Sequence, residues 1–342
     1  MVSLMSMLVN NISMSMSTLF IIGVVSFVSA YLCAGLIIRY LRKIGLNVKD
    51  MAKFKSVHIP ISGGLIVLVG TFISLMTFIF IRIFFQKSDA SLLIIFASMC
   101  SMMIITFIGF LDDLLVKKTE GAYVGLKRWQ KPLLVVPAAI PLMVIKVGTT
   151  EMILPFFGMV DFGLLYALLL VPIGVIGAGN MVNLLAGFNG LEAGLGLLYT
   201  GSLGLYALFN GRLEASMIAL AVFCSLLAFI KFNWTPAKVL PGDSLTYLLG
   251  STIAIVAIVG NIEKAALIIS IPFFIEFFLK LRGGFQKQSY GYALENGCVK
   301  SFYNKIYSIP HLFTRSGKFS EKEVTLYTML LFLPFVLVIW LI

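Results

Sequence analysis

The chain has 342 residues, 60% of them hydrophobic and only 12% charged, with a net charge of +11 and a mean hydropathy of +1.02. A soluble domain is about half apolar and roughly a quarter charged. These values exclude an ordinary globule and a disordered chain, and they predict an integral membrane protein with several spans.

A transmembrane helix needs about 20 apolar residues. Ten runs come near that length: roughly 18–38, 63–85, 91–111, 132–147, 162–179, 191–210, 213–230, 244–260, 265–281 and 324–342. The first 17 residues have no basic region and no small-residue cleavage site, so they do not read as a signal peptide. No internal repeat or low-complexity linker interrupts the chain, and 1–342 reads as one domain. The fold class is all-α, a polytopic membrane protein of about ten transmembrane helices. Cys33, Cys100, Cys224 and Cys298 are scattered without CxxC spacing, and His58 and His311 are the only histidines. A disulfide scaffold, a thiolate metal site and a His-rich metal centre are therefore excluded.

The loops after the odd-numbered spans, with their flanks, hold 21 of the 26 basic and 10 of the 15 acidic residues. The opposite side is electrically balanced. The positive-inside rule makes the basic side cytoplasmic and places both termini outside. This asymmetry records topology and calls for no nucleic-acid partner. Nearly every polar residue that needs a reason lies on the cytoplasmic side, so an active site is expected on that face.

Asp112 and Asp113 close the third run. Carboxylates there oppose the helix dipole and are costly near hydrocarbon unless paired or metal-bound. A solvated helix end beside Lys117 and Lys118 is the plainer reading. The stretch 179–194 joins the fifth and sixth runs and carries Asn180, Asn183 and Asn189 among glycines. Irregular backbone at membrane depth is tolerated where it is buried in protein or lines a wet cavity. Glu192 falls in the first turn of the next helix. Before the eighth run, Pro236, Pro241 and Gly242 deliver Asp243 to a helix N-terminus, where it serves as an N-cap or faces an anion site. Glu276 and Lys280 are four apart and predict a helical ion pair. The last cytoplasmic loop, about 282–323, is long and basic and carries His311 and Arg315. Carboxylates, amide oxygens and lysines on one membrane face suit Mg²⁺ and polyphosphate, hence phosphoryl chemistry at an interface.

At these residues the chain resembles the polyprenyl-phosphate N-acetylhexosamine-1-phosphate transferase family, over nearly its whole length. It looks closest to the archaeal and eukaryotic type that uses UDP-N-acetylglucosamine and dolichyl phosphate. The motifs are Asn183-Leu184-Leu185-Ala186-Gly187-Phe188-Asn189-Gly190-Leu191-Glu192, Phe232-Asn233-Trp234 through Gly242-Asp243, and, more loosely, Asp50-Met51-Ala52-Lys53 through Gly63-Gly64. The resemblance implies transfer of N-acetylglucosamine-1-phosphate to a dolichyl or other polyprenyl phosphate with release of UMP, as the first membrane step of lipid-linked oligosaccharide synthesis for N-glycosylation. It implies Mg²⁺, with Mn²⁺ as a substitute, held by Asn183 and Asp243. It implies Asp112, Asp113 and Lys131 (in Trp129-Gln130-Lys131-Pro132) as catalytic residues. It implies that Asn189, Gly190, Leu191 and Glu192 form the uridine end of the donor site with Met51 as an apolar neighbour of the base, that Lys53 is the family's first-loop substrate-binding lysine, and that His311 and Arg315 are candidates for reading the sugar. Leu240 departs from the family, which often stacks an aromatic on uracil at that position. The His cluster of the peptidoglycan-precursor transferases is absent.

Membrane lipids and a homodimer are the other expected partners, and an archaeal cell membrane is expected ahead of the endoplasmic reticulum. The alternatives are another UDP-N-acetylhexosamine, a secondary transporter, or a non-catalytic headgroup-binding protein. A transporter would place its polar site near the bilayer midplane, whereas these motifs cluster at the inner boundary.

Overall fold

The computed structural model describes residues 2–88, 91–117, 130–154 and 158–341. Lys118 and Trp129 lie outside them. Helix α1 (Val2–Lys43) leads through a hairpin, β1 (Asn47–Lys49) and β2 (His58–Pro60), into α2 (Gly64–Phe80). α2 runs on into a π turn, Ile81–Phe85. Next come α3 (Leu92–Lys117) and α4 (Gln130–Val144). A second hairpin, β3 (Glu151–Leu154) and β4 (Gly158–Asp161), precedes α5 (Val171–Leu184). α6 (Leu191–Phe209), α7 (Leu213–Asn233) and α8 (Gly242–Gly260) follow. The chain then forms α9 (Glu263–Ile269), α10 (Ile271–Arg282), a third hairpin of β5 (Gly291–Ala293) and β6 (Val299–Ser301), the short α11 (His311–Thr314) and α12 (Glu321–Val338). All three hairpins are antiparallel.

Among the described residues, seven helices are long and apolar enough to cross a membrane: Met16–Lys43, Gly64–Phe85, Leu92–Leu115, Tyr166–Leu184, Leu213–Asn233, Gly242–Gly260 and Glu321–Leu341. The protein is a polytopic membrane protein. The other three predicted runs are helical too. α4 is short at 15 residues, and α6 is diluted by Glu192 and several glycines. The run at 265–281 is not one helix but two, α9 and α10, meeting at Ser270. Pro272 causes the break, because it has no N–H to offer the carbonyl one turn back and suits only the first turn of a helix.

α8 is the axle of the bundle, 83% buried over its apolar window. It packs against α3, α5, α6 and α7. Small residues let backbones meet, as they do where helices associate in lipid. A Cβ on Gly250 would stand 2.2 Å from the Ala178 carbonyl oxygen of α5, and one on Gly109 of α3 would stand 2.5 Å from the Asp243 carbonyl oxygen. Outer helices turn Phe20, Leu32, Leu36, Phe107 and Leu330 outward, the apolar surface that a bilayer covers.

A candidate active site at one end of the bundle

The close contact at Gly109 has a chemical consequence one turn later. It sets Asp112 and Asp113 beside the first turn of α8. α3 continues through both aspartates to Lys117, past the predicted end near 111. The two side chains then diverge. Asp113 accepts the Ser62 hydroxyl at 2.5 Å, the Asp243 N–H at 2.9 Å and the Ser244 N–H at 3.4 Å. It caps α8 from a neighbouring helix, where a carboxylate meets free N–H groups and the positive dipole end. Asp243 is thereby relieved of capping itself. Its carboxylate accepts Lys131 Nζ at 2.8 Å, and the same Nζ lies 2.6 Å from Asp112 Oδ2. Lys131 opens α4, and Pro132 beside it suits the start of a helix.

α5 is longer than the sequence predicts. It reaches Leu184 rather than ending near 179, so Asn180 and Asn183 stand on helical backbone. Asn180 donates within its own helix to the Ile176 carbonyl at 2.8 Å. The Asn183 side chain faces the Asp243 carboxylate and the Tyr247 hydroxyl. Asp112 and Asp243 thus share a single lysine, with Asp113 held beside them by the first turn of α8. That donor set fits a divalent cation. Among the described residues no three acidic or imidazole side chains form a closed cage. Few protein ligands are what Mg²⁺ takes when substrate phosphates complete its shell. Asn183 and Asp243, with Asp112 alongside, are the groups able to hold it.

A second polar cluster surrounds residues 185–190, the irregular turn between α5 and α6. The Gly187 N–H donates to Glu192 Oε1 at 2.9 Å. The Asn189 side chain donates to Asp50 Oδ2 at 3.1 Å, and its N–H donates to Glu321 Oε1 at 3.0 Å. The Gly190 N–H donates to Asn233 Oδ1 at 3.1 Å, and Asn233 donates onward to the Val239 carbonyl at 3.0 Å. Gly190 has φ +82, and a Cβ there would sit 2.5 Å from the Trp234 ring. Only glycine fits that left-handed conformation under an indole face. Lys53 pairs with Glu321 and lies 3.4 Å from Asp50. Asn189, Leu191 and Glu192 are buried, whereas Met51 is exposed.

The last loop is fastened by a buried ion pair. Glu276 and Lys280 are 3.6 Å apart on α10, as their spacing predicts. Glu276 also accepts the Ser308 hydroxyl at 2.6 Å and the Ile309 N–H at 2.7 Å. Lys280 donates to the Lys287 carbonyl at 2.9 Å and to Ser289 Oγ at 2.7 Å, and Ser289 donates to the Leu184 carbonyl at 3.2 Å. His311 is fully buried. Its Nδ1 accepts the Tyr307 N–H at 3.2 Å, and its Nε2 faces the Gln288 carbonyl at 3.0 Å. Burial pushes its pKa down to about 4, so the ring is neutral and Nε2 carries the proton. Arg315 is exposed.

The chain matches the glycosyl transferase family 4 model over residues 93–261. It is 30% identical over 305 residues to a protein of Saccharolobus solfataricus named UDP-N-acetylglucosamine–dolichyl-phosphate N-acetylglucosaminephosphotransferase, covering 88% of this chain and 89% of that one. The like-named protein of Sulfolobus acidocaldarius is also 30% identical, with 89% of each chain covered. The chain belongs to the polyprenyl-phosphate N-acetylhexosamine-1-phosphate transferase family. A phospho-N-acetylmuramoyl-pentapeptide-transferase of Clostridium perfringens is 32% identical over 262 residues, 74% of this chain and 79% of the relative.

In this transferase the structure joins Asp112, Asp113, Lys131, Asn183 and Asp243 in one cluster. It joins Lys53, Asn189, Gly190 and Glu192 in another. His311 and Arg315 lie apart on the last loop. Sequence reasoning did not reach Ser62, Asp50, Asn233 as a clamp, or Glu321. Glu321 did leave a trace: the first turn of α12 carries two glutamates, and one suffices to cap a helix.

Proposed function

We propose that the protein transfers N-acetylglucosamine-1-phosphate from UDP-N-acetylglucosamine to a dolichyl or related polyprenyl phosphate, releasing UMP. The observation that carries the reading is the convergence of Asp112 and Asp243 on Lys131 at the N-terminus of α8, with Asp113 capping that helix beside them, in a chain of this family. We read the chain as one domain of ten spans with both termini outside and this cluster on the cytoplasmic face of an archaeal cell membrane. The charge asymmetry of the loops supports that orientation.

The lipid phosphate is already largely ionised near neutral pH, since a phosphomonoester has a second pKa of about 6. No strong base is then required. One of its oxygens attacks the β-phosphorus of the donor. A new P–O bond forms, the bond to the UMP oxygen breaks, and UMP leaves with the electron pair. Lys131 supplies positive charge where the diphosphate oxygens gain negative charge, and such fixed electrostatics dominate phosphoryl transfer. Asp112 orients Lys131. Asp113 holds the first turn of α8 and with it the Asp243 carboxylate. Mg²⁺, when bound through Asp243 and Asn183, would neutralise charge on the diphosphate. The Asn189 turn, with Met51 beside it, forms the uridine end.

UMP release by detergent-purified protein tests this reading, with UDP-N-acetylglucosamine, dolichyl phosphate and Mg²⁺ supplied. EDTA and Asp243→Ala are the controls. UMP that appears without lipid, or equally with Asp243→Ala, would overturn it.

A further inference from the structure

Glu321 is a buried carboxylate with no duty in its own helix. The N-terminus of α12 is already served by a capping box. Ser320 Oγ accepts the Glu323 N–H at 3.4 Å, and the Glu323 carboxylate accepts the Ser320 N–H at 2.7 Å. Glu323 is exposed, as a cap is expected to be, whereas Glu321 is 6% exposed. Burying a carboxylate is costly unless it is paired and hydrogen-bonded. Glu321 turns sideways and meets that cost with the Asn189 N–H and the Lys53 ammonium.

One turn further along α12, Thr325 Oγ1 donates to the Asn189 carbonyl at 3.3 Å. The first turns of α12 therefore hold both backbone groups of Asn189, 132 residues away in the chain. Asp50 takes the side-chain NH₂. Among the described residues, the amide oxygen Oδ1 is the one polar atom of Asn189 that receives no protein hydrogen bond. With the N–H, the carbonyl and the NH₂ all fixed, the amide cannot flip. It presents an acceptor, not a donor.

We propose that Glu321 and Thr325 are positioning residues for the donor nucleotide. They lock Asn189 so that Oδ1 meets an N–H of the base, and Glu321 uses Lys53 to bind the first cytoplasmic loop to the same point. This rests on the reading of the Asn189 turn as the uridine end. α12 then reaches the reaction only through donor affinity, and the lipid and the phosphoryl step do not sense it.

Calorimetric titration of UMP against the full-length protein in detergent reads the proposal directly, since it needs no turnover. Thr325→Val is to weaken UMP binding about 10-fold, and Thr325→Ser is to restore it to within about twofold, because one neutral hydrogen bond in a low-dielectric site is worth about that much; Glu321→Gln, which gives up charge-assisted bonds to Asn189 and Lys53, is to weaken it at least as far. In the turnover assay the same variants raise KM for the UDP-sugar by a similar factor, with kcat and the KM for dolichyl phosphate unchanged. Unchanged UMP affinity in both variants refutes positioning. So does an equal loss in kcat and in both KM values with a lowered Tm, which marks a merely structural role. UMP binding that follows this pattern without any turnover keeps the proposal and removes the transferase reading. Failure of the wild-type protein to bind UMP removes both.

Discussion

Replacing Lys131 with Met should make the protein bind a divalent cation more tightly while abolishing turnover. Lys131 Nζ lies 2.6 Å from Asp112 and 2.8 Å from Asp243. A metal that takes Asp243 must compete with that ammonium. Each pair at about 2.7 Å is worth roughly 6 kcal/mol gross at an effective dielectric of about 20, and about 1.5 in water. The Lys131 and Asp243 side chains are 27% and 24% exposed, so water screens the pairing toward the lower figure. A net release of about 1.5–3 kcal/mol corresponds to roughly 10- to 100-fold in affinity. Electron paramagnetic resonance of free Mn²⁺ during titration measures this without any substrate. Asp243→Asn should remove the high-affinity binding. Lys131→Met should lose about 10²-fold or more in kcat, the size of effect seen when one preorganised charge-stabilising group is removed. Unchanged or weaker Mn²⁺ binding by Lys131→Met would refute the idea that the lysine and the metal share Asp243.

The two adjacent aspartates should separate cleanly. Asp113→Asn should lower Tm by the equivalent of about 1–2 kcal/mol, because it weakens the cap on α8, whereas Asp112→Asn should lose turnover with Tm almost unchanged. Gly109→Ala places a methyl 2.5 Å from the Asp243 carbonyl; thermal denaturation should show strong destabilisation, and turnover should fall with it. Lys280→Met leaves Glu276 buried without its partner, at a cost of about 3–5 kcal/mol. Hydrogen exchange should rise across residues 283–310, and Glu276→Gln in the same chain should restore part of the protection. His311 has its pKa lowered to about 4 from an ordinary value near 6.5. The unfolded chain therefore takes up this proton first, and stability present above about pH 6.5 is lost as pH falls toward 4, by up to about 3 kcal/mol. His311→Asn should remove that component from a Tm-against-pH series.

The apolar runs announced every long helix, because a span in lipid must satisfy its own backbone and bury or expose whole apolar faces. Helix ends were less legible. α3, α5 and α7 each run further toward the site than their hydropathy does, since Asp112, Asp113, Asn183 and Asn233 sit on helical backbone once neighbours satisfy them. Adjacent aspartates could not be told apart from composition alone. Only the approach of α3 to α8 shows that one caps and the other pairs with lysine. The clamp on Asn189 was hidden for a similar reason, since Glu321 and Thr325 reach it from the far end of the chain. The break at Ser270 was written in Pro272, but hydropathy alone reads across it.

α8 is the least apolar of the seven long spans, with a hydropathy of 1.6, and the most enclosed. It carries Asp243, Ser244, Thr246, Ser251 and Thr252 into the bundle. A segment of that kind is a poor guest in lipid by itself. During synthesis it must be received by α3, α5 and α7, which precede it, and only its outer partners arrive later. The Asn189 turn waits longer still, because Glu321 and Thr325 follow it by 132 and 136 residues. The order of translation thus becomes an order of assembly: the cluster of Asp112, Lys131 and Asp243 can close before α12 exists, and the Asn189 turn is completed only when α12 inserts.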